Sequence, residues 1–202
     1  MNVEDWDKRF GAAELPYGLE PNTFLVEEAR RLSSANILCI AEGYGRNAMW
    51  LAAQGHRVTA VEQSPVGIAR AKALAAERGV HVEWVQGDLE TFDLGESHRD
   101  AIVSIFVHLP PALRADVYAR AVRALAPGGL MIVEAYCPAQ LGFRTGGPKD
   151  VALLPTRELL ERELAGLEFL VSREIRRDVN EGVLHHGAAA VVQMVGRKQG
   201  DA

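Results

Sequence analysis

The feature that most narrows the fold is the stretch at 36–62, NILCIAEGYGRNAMWLAAQGHRVTAVE. It opens on a nearly continuous apolar run, NILCIA, as expected of a strand buried on both faces. EGYGRNA then fits Gly-x-Gly-x-x-Ala through Gly43, Gly45 and Ala48. RNAMWLAAQG reads as a helix stopped at Gly55, and HRVTAVE is a second strand. Strand, glycine turn, helix and strand make a βαβ unit, whose right-handed crossover implies an open parallel sheet.

The rhythm continues. Ser64-Pro65 supplies an N-cap followed by proline at the first helical position, and the Ala-rich helix ends at Gly79. VHVEWVQ (80–86) alternates as a third strand and DAIVSIFV (100–107) is a fourth. PALRADVYARAVRAL (111–125) is an amphipathic helix, with Leu113, Val117, Val122 and Leu125 near helical spacing. Pro127-Gly128-Gly129 stops it and turns into the fifth strand, LMIVEAY. The last third departs from the pattern. After a helix at 155–166, LEFLVSREIRRDV and HGAAAVVQMVGRK face each other across a short link, 180–186, and strands so joined pair antiparallel.

Nothing divides the chain: it has no internal repeat, low-complexity tract or linker, so a single domain over 1–202 is expected. Its N-terminus, MNVEDWDKRF, lacks an apolar core of signal-peptide length, and no apolar run approaches a membrane span. A net charge of −5 argues against a broad basic face for nucleic acid. Cys39 and Cys137 lie inside apolar runs with no metal spacing, as buried thiols in a reducing compartment would. A cytoplasmic protein with no metal, acting as a monomer or homodimer, is the expectation.

Open α/β sheets bind ligands at the carboxyl ends of their strands, where strand order reverses. Gly43 and Gly45 let backbone approach a ligand there, and Glu62, ending the second strand 19 residues after Gly43, can accept both hydroxyls of an adenosine ribose. To this point NAD and S-adenosylmethionine fit equally. Three features favour the latter. Asp88 in VQGDLETFD follows the third strand, where it can accept from an adenine amino group while Leu89 packs on the ring. LAPGGLMIVE is a helix stop and tight turn before the fifth strand. The terminal hairpin leaves no room for a second nucleotide-binding half, and no tyrosine is followed by lysine at the fourth position, the proton-transfer pair of short-chain dehydrogenases.

The motifs ILCIAEGYGRN, VTAVEQSPVGIARAK, GDLETFDL and LAPGGLMIVE stand in the order and spacing of the class I S-adenosylmethionine-dependent methyltransferases, which the chain resembles over about residues 15 to 197. The AEGxGRN form is similar to the small bacterial tellurite-resistance and thiopurine methyltransferase-like sub-group. The resemblance implies an α/β, Rossmann-like sheet of seven mostly parallel strands with a C-terminal antiparallel hairpin and helices on both faces. It implies an N-terminal helical or lid segment (1–33), a core at 34–197, and S-adenosylmethionine as methyl donor, leaving S-adenosylhomocysteine. Cofactor contacts are expected at Tyr17, Glu42, Gly43, Gly45, Asn47, Glu62, Gln63, Asp88, Leu89 and Phe106. Cys39, Ala41 and Glu42 depart from the acidic and Gly-Cys positions of many members. Glu42 either accepts from the cofactor's ammonium or simply favours the helix N-terminus.

Methyl transfer from a sulfonium is an in-line displacement for which the protein chiefly supplies alignment and a dry pocket. SIFVHLPP would set Phe106 and His108 beside the reacting methyl, an aromatic face being favourable near a sulfonium; core packing is the alternative for Phe106. No Asp/Asn-Pro-Pro-Tyr/Phe motif is present, which argues against nucleic-acid amines. The segment WDKRFGAAELPYGLEPNTFL can fold as a lid with Tyr17 facing the sulfonium, or merely staple the N-terminus. QLGFRTGGPKD carries Arg144 and Lys149 on a glycine-rich loop that could admit an anionic acceptor. By the tellurite-resistance resemblance, His185 is the base or anion contact, and His186 stands where that group has arginine. The expected reaction is methylation of a small, soft acceptor: a thiol, selenol or metalloid anion. An NAD-binding oxidoreductase and a non-catalytic S-adenosylmethionine-binding module are the rivals.

Overall fold

The NILCI run forms β1 (Asn36–Ile40), the middle of a seven-stranded sheet. β1 pairs in parallel with β2 (Arg57–Glu62) on one side and β4 (Arg99–Ile105) on the other. β3 (Glu83–Gln86) lies outside β2, and β5 (Leu125–Tyr136) lies outside β4. The hairpin of β6 (Leu167–Asn180) and β7 (His186–Lys198) closes that edge, with β7 antiparallel to both β5 and β6. The order is β3-β2-β1-β4-β5-β7-β6, so strand order reverses between β1 and β4. The structure is a computed structural model describing residues 3–143 and 145–200.

Alternation along β1 builds both layers of the core. Leu38 and Ile40 join Ile102, Met131 and Val133 beneath Val117 and Ala121 of α5 (Pro111–Ala124). Ile37 and Cys39 face the other way, toward Ala48 and Leu51 of α3 (Arg46–Ala53) and toward Phe24 and Leu25 of α2 (Thr23–Glu28). Cys39 is fully buried there, which raises its thiol well above the ordinary range. Both cysteines are free and buried. Among the described residues no helix is long and apolar enough to cross a membrane.

Local chemistry sets the helix ends as the sequence suggests. Ser64 Oγ accepts from Gly67 N at the start of α4 (Pro65–Glu77), and Thr156 Oγ1 accepts from Leu159 N at the start of α6 (Arg157–Glu163). Of the boundaries that differ from the sequence reading, two have a clear local cause. The alternation at 80–86 predicts a strand from Val80, but Val80 N donates to Ala75 O and Gly79 N to Ala76 O. This closure of α4 around Gly79, at φ 64°, takes the backbone groups a strand would need, so β3 begins at Glu83. Pro127-Gly128-Gly129, read as a turn before the strand, lies within β5. Leu125 pairs with Arg99 and Leu130 with Ala101, so the intervening residues bulge out of the ladder.

Candidate functional site

A cavity of about 920 Å³ opens over the carboxyl ends of β1, β2, β3, β4 and β5, the switch-point position of an open sheet. Its size suits a ligand as large as a nucleoside with an amino-acid tail. Two residues that follow strands into it have left-handed backbone without being glycine, Ala41 (φ 47°) and Phe106 (φ 54°). Such conformations cost about 1–3 kcal/mol each and persist where surrounding structure imposes them. At Phe106 the constraint is a hydrogen bond from its N–H to the Glu134 carbonyl (2.7 Å).

One half of the cavity is polar and rests on backbone. Glu62, at the end of β2, accepts from Gly43 N through Oε2 and from Ser64 N through Oε1, both at 2.9 Å. It thereby ties the glycine turn to the start of α4, and burial raises its carboxyl. Glu42 Oε1 accepts from Asn47 N and Ala48 N, both at 2.9 Å, capping α3 from outside the helix. Its Oε2 has no hydrogen bond among the described residues. Desolvation pushes its carboxyl up to about 7, with the Ala48 N–H, Arg46 and the Asn47 N–H opposing and Glu62 adding to the rise. Asp88 is exposed on the rim, its Oδ1 accepting from Glu90 N, while Leu89 beside it is buried; Gln63 completes this wall.

The other half is aromatic. Phe106, Tyr136 and His185 meet with ring centroids 4.6 to 5.2 Å apart, and Tyr17 lies 4.8 Å from His185. His108 stacks on Tyr136 at 5.7 Å and 9°. His108 Nδ1 lies 3.1 Å from the Leu153 carbonyl, an acceptor only, so Nδ1 carries the proton and Nε2 the lone pair. His108 Nε2 and His185 Nδ1 are both buried without a protein partner. Burial lowers His108 to about 4 and His185 to about 3, so both rings are uncharged at neutral pH.

The N-terminal segment covers this site. Phe10, from α1 (Val3–Phe10), fills the space beside Gly43 and Gly67, where an added Cβ would lie 3.0 and 2.9 Å from its ring. Arg70 holds the following turn through the Phe10 and Ala12 carbonyls (2.7 and 2.6 Å). Arg9 donates to the Tyr17 hydroxyl (2.8 Å), and Leu184 N to the Pro16 carbonyl (3.0 Å), joining this strap to the hairpin tip that carries His185.

Most expected site residues therefore line one cavity: Tyr17, Glu42, Gly43, Asn47, Glu62 and Gln63 do, as do Asp88, Leu89, Phe106, His108, Lys149 and His185. Lys149 is exposed at its mouth. Two lie elsewhere. Gly45 is off the cavity wall; its φ is 88°, and a Cβ there would stand 2.2 Å from the ring of Trp84 on β3. His186 is exposed at the start of β7, its Nδ1 3.1 Å from Asn180 Oδ1, because strand alternation turns it away from His185. Arg144 lies outside the described residues.

The sequence reading missed a buried network beneath the hairpin tip. Asn22 Nδ2 donates to Glu134 Oε1 (2.7 Å) and Glu181 Oε1 (2.9 Å), Arg46 pairs with Glu181, and Arg177 pairs with Glu134 and Glu181. Asn47 contributes by accepting from Asn22 N through Oδ1 (2.9 Å). Tyr136 was also missed, although its position at the end of the fifth strand was a usable signal.

Residues 37–129 match the family described as methyltransferase domain. A 2-heptyl-1-hydroxyquinolin-4(1H)-one methyltransferase of Mycobacteroides abscessus is 30% identical over 123 residues, 59% of this chain and 54% of the relative. The chain thus spans about half the length of that curated relative. Among solved structures, TehB from Haemophilus influenzae superposes with a TM-score of 0.73 at 18% identity, covering 98% of this chain and 68% of TehB. The N-methyltransferase NodS from Bradyrhizobium japonicum WM9, in complex with S-adenosyl-L-homocysteine, gives 0.69 at 18%, covering 97% of each chain. Sheet order, site and family match define a methyltransferase domain. Residues 37–129 match the methyltransferase domain family, and the chain as a whole shares its fold with methyltransferases of known structure.

Proposed function

We propose that this protein transfers the methyl group of S-adenosylmethionine to a small molecule whose nucleophile is soft: a thiol, a selenol or a metalloid. The observation that carries the reading is the division of one cavity into a polar half built on Glu42, Gly43, Glu62 and Asp88 and an aromatic half built on Phe106, Tyr136 and His185. When bound, the cofactor supplies an activated methyl on a sulfonium.

The residues fit that group. Glu62 keeps lone pairs for a ribose diol while Gly43 N and Ser64 N hold it rigid. Glu42 Oε2 stays unengaged for an ammonium, so capping α3 and holding the amino-acid end are compatible roles for its two oxygens. Phe106 and Tyr136 supply π faces to stabilise a cation and exclude water. Tyr17 closes the site from the strap, and His185 Nδ1 is available to the acceptor's proton. So weak a base suits a nucleophile whose proton becomes acidic as its bond to the methyl carbon forms.

The test is calorimetric titration with S-adenosylhomocysteine and with NAD, using Glu62→Ala as control, followed by an acceptor panel read by product mass. Micromolar binding of the homocysteine adduct, lost in the variant, with a methyl gained by a thiol or selenol, is expected. Binding of NAD without the adduct would overturn the reading, and adduct binding without turnover on any acceptor would leave a binding module.

A further inference from the structure

The reading above leaves the protonation state of the bound acceptor open, and the aromatic half of the cavity addresses it. We propose that the acceptor enters un-ionised and uncharged, presenting its X–H group as a hydrogen-bond donor to His108 Nε2, beside the unpartnered His185 Nδ1, with its body against Phe106 and Tyr136. This rests on the methyltransferase reading and adds the form in which the substrate is recognised.

Two observations carry it. First, buried polar atoms in folded proteins are almost always hydrogen-bonded, so each exception asks for a partner. Among the described residues only three buried side-chain nitrogens lack one, and two of them, His108 Nε2 and His185 Nδ1, belong to rings flanking Tyr136 in one cavity. The Leu153 carbonyl forces His108 Nε2 to be an acceptor, so the partner it lacks is a donor. A thiol or hydroxyl supplies one; a thiolate or oxyanion does not.

Second, the arginines buried around these rings are mostly paired with carboxylates. Arg46 pairs with Glu181, Arg177 with Glu134 and Glu181, and Arg114 with Glu163. Arg9 is bonded to the Tyr17 hydroxyl and lies over Trp6. Tyr17 and Tyr136 are held protonated by burial, and Lys149 and Asp150 stand at the exposed mouth. An anion carried to the aromatic wall would therefore lose its hydration and meet, among the described residues, chiefly arginines already paired with carboxylates, Arg9 with its bond to a neutral hydroxyl being the exception. A neutral, partly aromatic body loses little.

The step balances. A lone pair on X forms the bond to the methyl carbon, and the carbon–sulfur pair passes to sulfur, turning the sulfonium into a neutral thioether. The X–H proton moves to the histidine nitrogen, so one positive charge passes from sulfur to imidazole and then, with the proton, to water.

Binding to the protein saturated with S-adenosylhomocysteine separates the possibilities. At neutral pH, phenylmethanethiol is un-ionised, 4-nitrothiophenol is a thiolate, and benzyl methyl sulfide has no X–H. We expect phenylmethanethiol to bind at least about tenfold more tightly than 4-nitrothiophenolate. His108→Phe and His185→Phe should each weaken it about three- to tenfold, the worth of a hydrogen bond, and leave the sulfide unchanged. Retained S-adenosylhomocysteine affinity shows that each variant is folded. The proposal is overturned if the thiolate or tellurite binds as tightly as the thiol, if both variants weaken thiol and sulfide alike, or if no thiol binds. Failure of S-adenosylhomocysteine itself to bind is seen before any thiol is added and refutes the underlying methyltransferase reading.

Discussion

Glu42 offers the sharpest quantitative test of the polar half. Its Oε1 is fixed by two backbone N–H groups, its Oε2 is unengaged, and desolvation pushes the carboxyl up to about 7. If the ionised form holds the cofactor's ammonium, binding must first ionise it. With a pKa near 7, the ionised fraction rises from about a tenth at pH 6 to about nine tenths at pH 8, so affinity should rise about tenfold, or ~1.4 kcal/mol. In Glu42→Gln the amide still caps α3 through its oxygen but carries no charge. Its affinity should match the parent's at pH 6 to within a few-fold and fall about tenfold behind at pH 8. Titration of the ligand's own amine and of Glu62 is common to both proteins and divides out of the ratio. Calorimetry with S-adenosylhomocysteine across pH 6 to 8 gives the two curves. A parent-to-variant ratio that stays constant over that range would refute the assignment and leave Glu42 as a helix cap alone.

Three further outcomes follow from the packing. Gly45→Ala should destabilise by roughly 2–4 kcal/mol in urea unfolding, since its Cβ would stand 2.2 Å from Trp84 at φ 88°; a loss confined to cofactor affinity would show that the glycine serves the ligand. Glu134→Leu should cost about 3–5 kcal/mol by leaving Gln193 Nε2 unpaired and Arg177 with Glu181 as its remaining carboxylate, and an unchanged unfolding midpoint would mean the network is dispensable. His108 and His185 titrate below their ordinary 6.5, so the unfolded chain takes up protons first as the pH falls. Stability should therefore drop by about 2 kcal/mol per histidine between pH 6.5 and 5. Glu42, raised, acts in the opposite sense over the same range, so the comparison is parent against His108→Gln/His185→Gln, in which the acid loss should vanish.

How much of this was legible in the sequence follows from how local each cause is. The βαβ rhythm, the cap at Ser64 and the terminal hairpin depend on side-chain period and turn chemistry over a few residues, and all three are in the structure. Glu62 and Asp88 were legible because a strand's end is visible in the chain and an open sheet gathers such ends at one edge. At Gly45 a glycine turn looks the same in the chain whether the absent side chain makes room for a ligand or for Trp84, 39 positions away, and only the fold shows Trp84 there.

What only the tertiary structure decided is which distant groups share a dry interior. Arg46 and Glu181 are 135 residues apart and meet because the hairpin tip folds back over the start of α3. His108 and His185 come from different elements; that each keeps a buried nitrogen without a partner depends on what fails to reach them, and His108 Nε2 is an acceptor because of the Leu153 carbonyl. A local pattern determines where a strand ends. Desolvation and the absence of a partner are properties of the assembled volume, which no single stretch of the chain encodes.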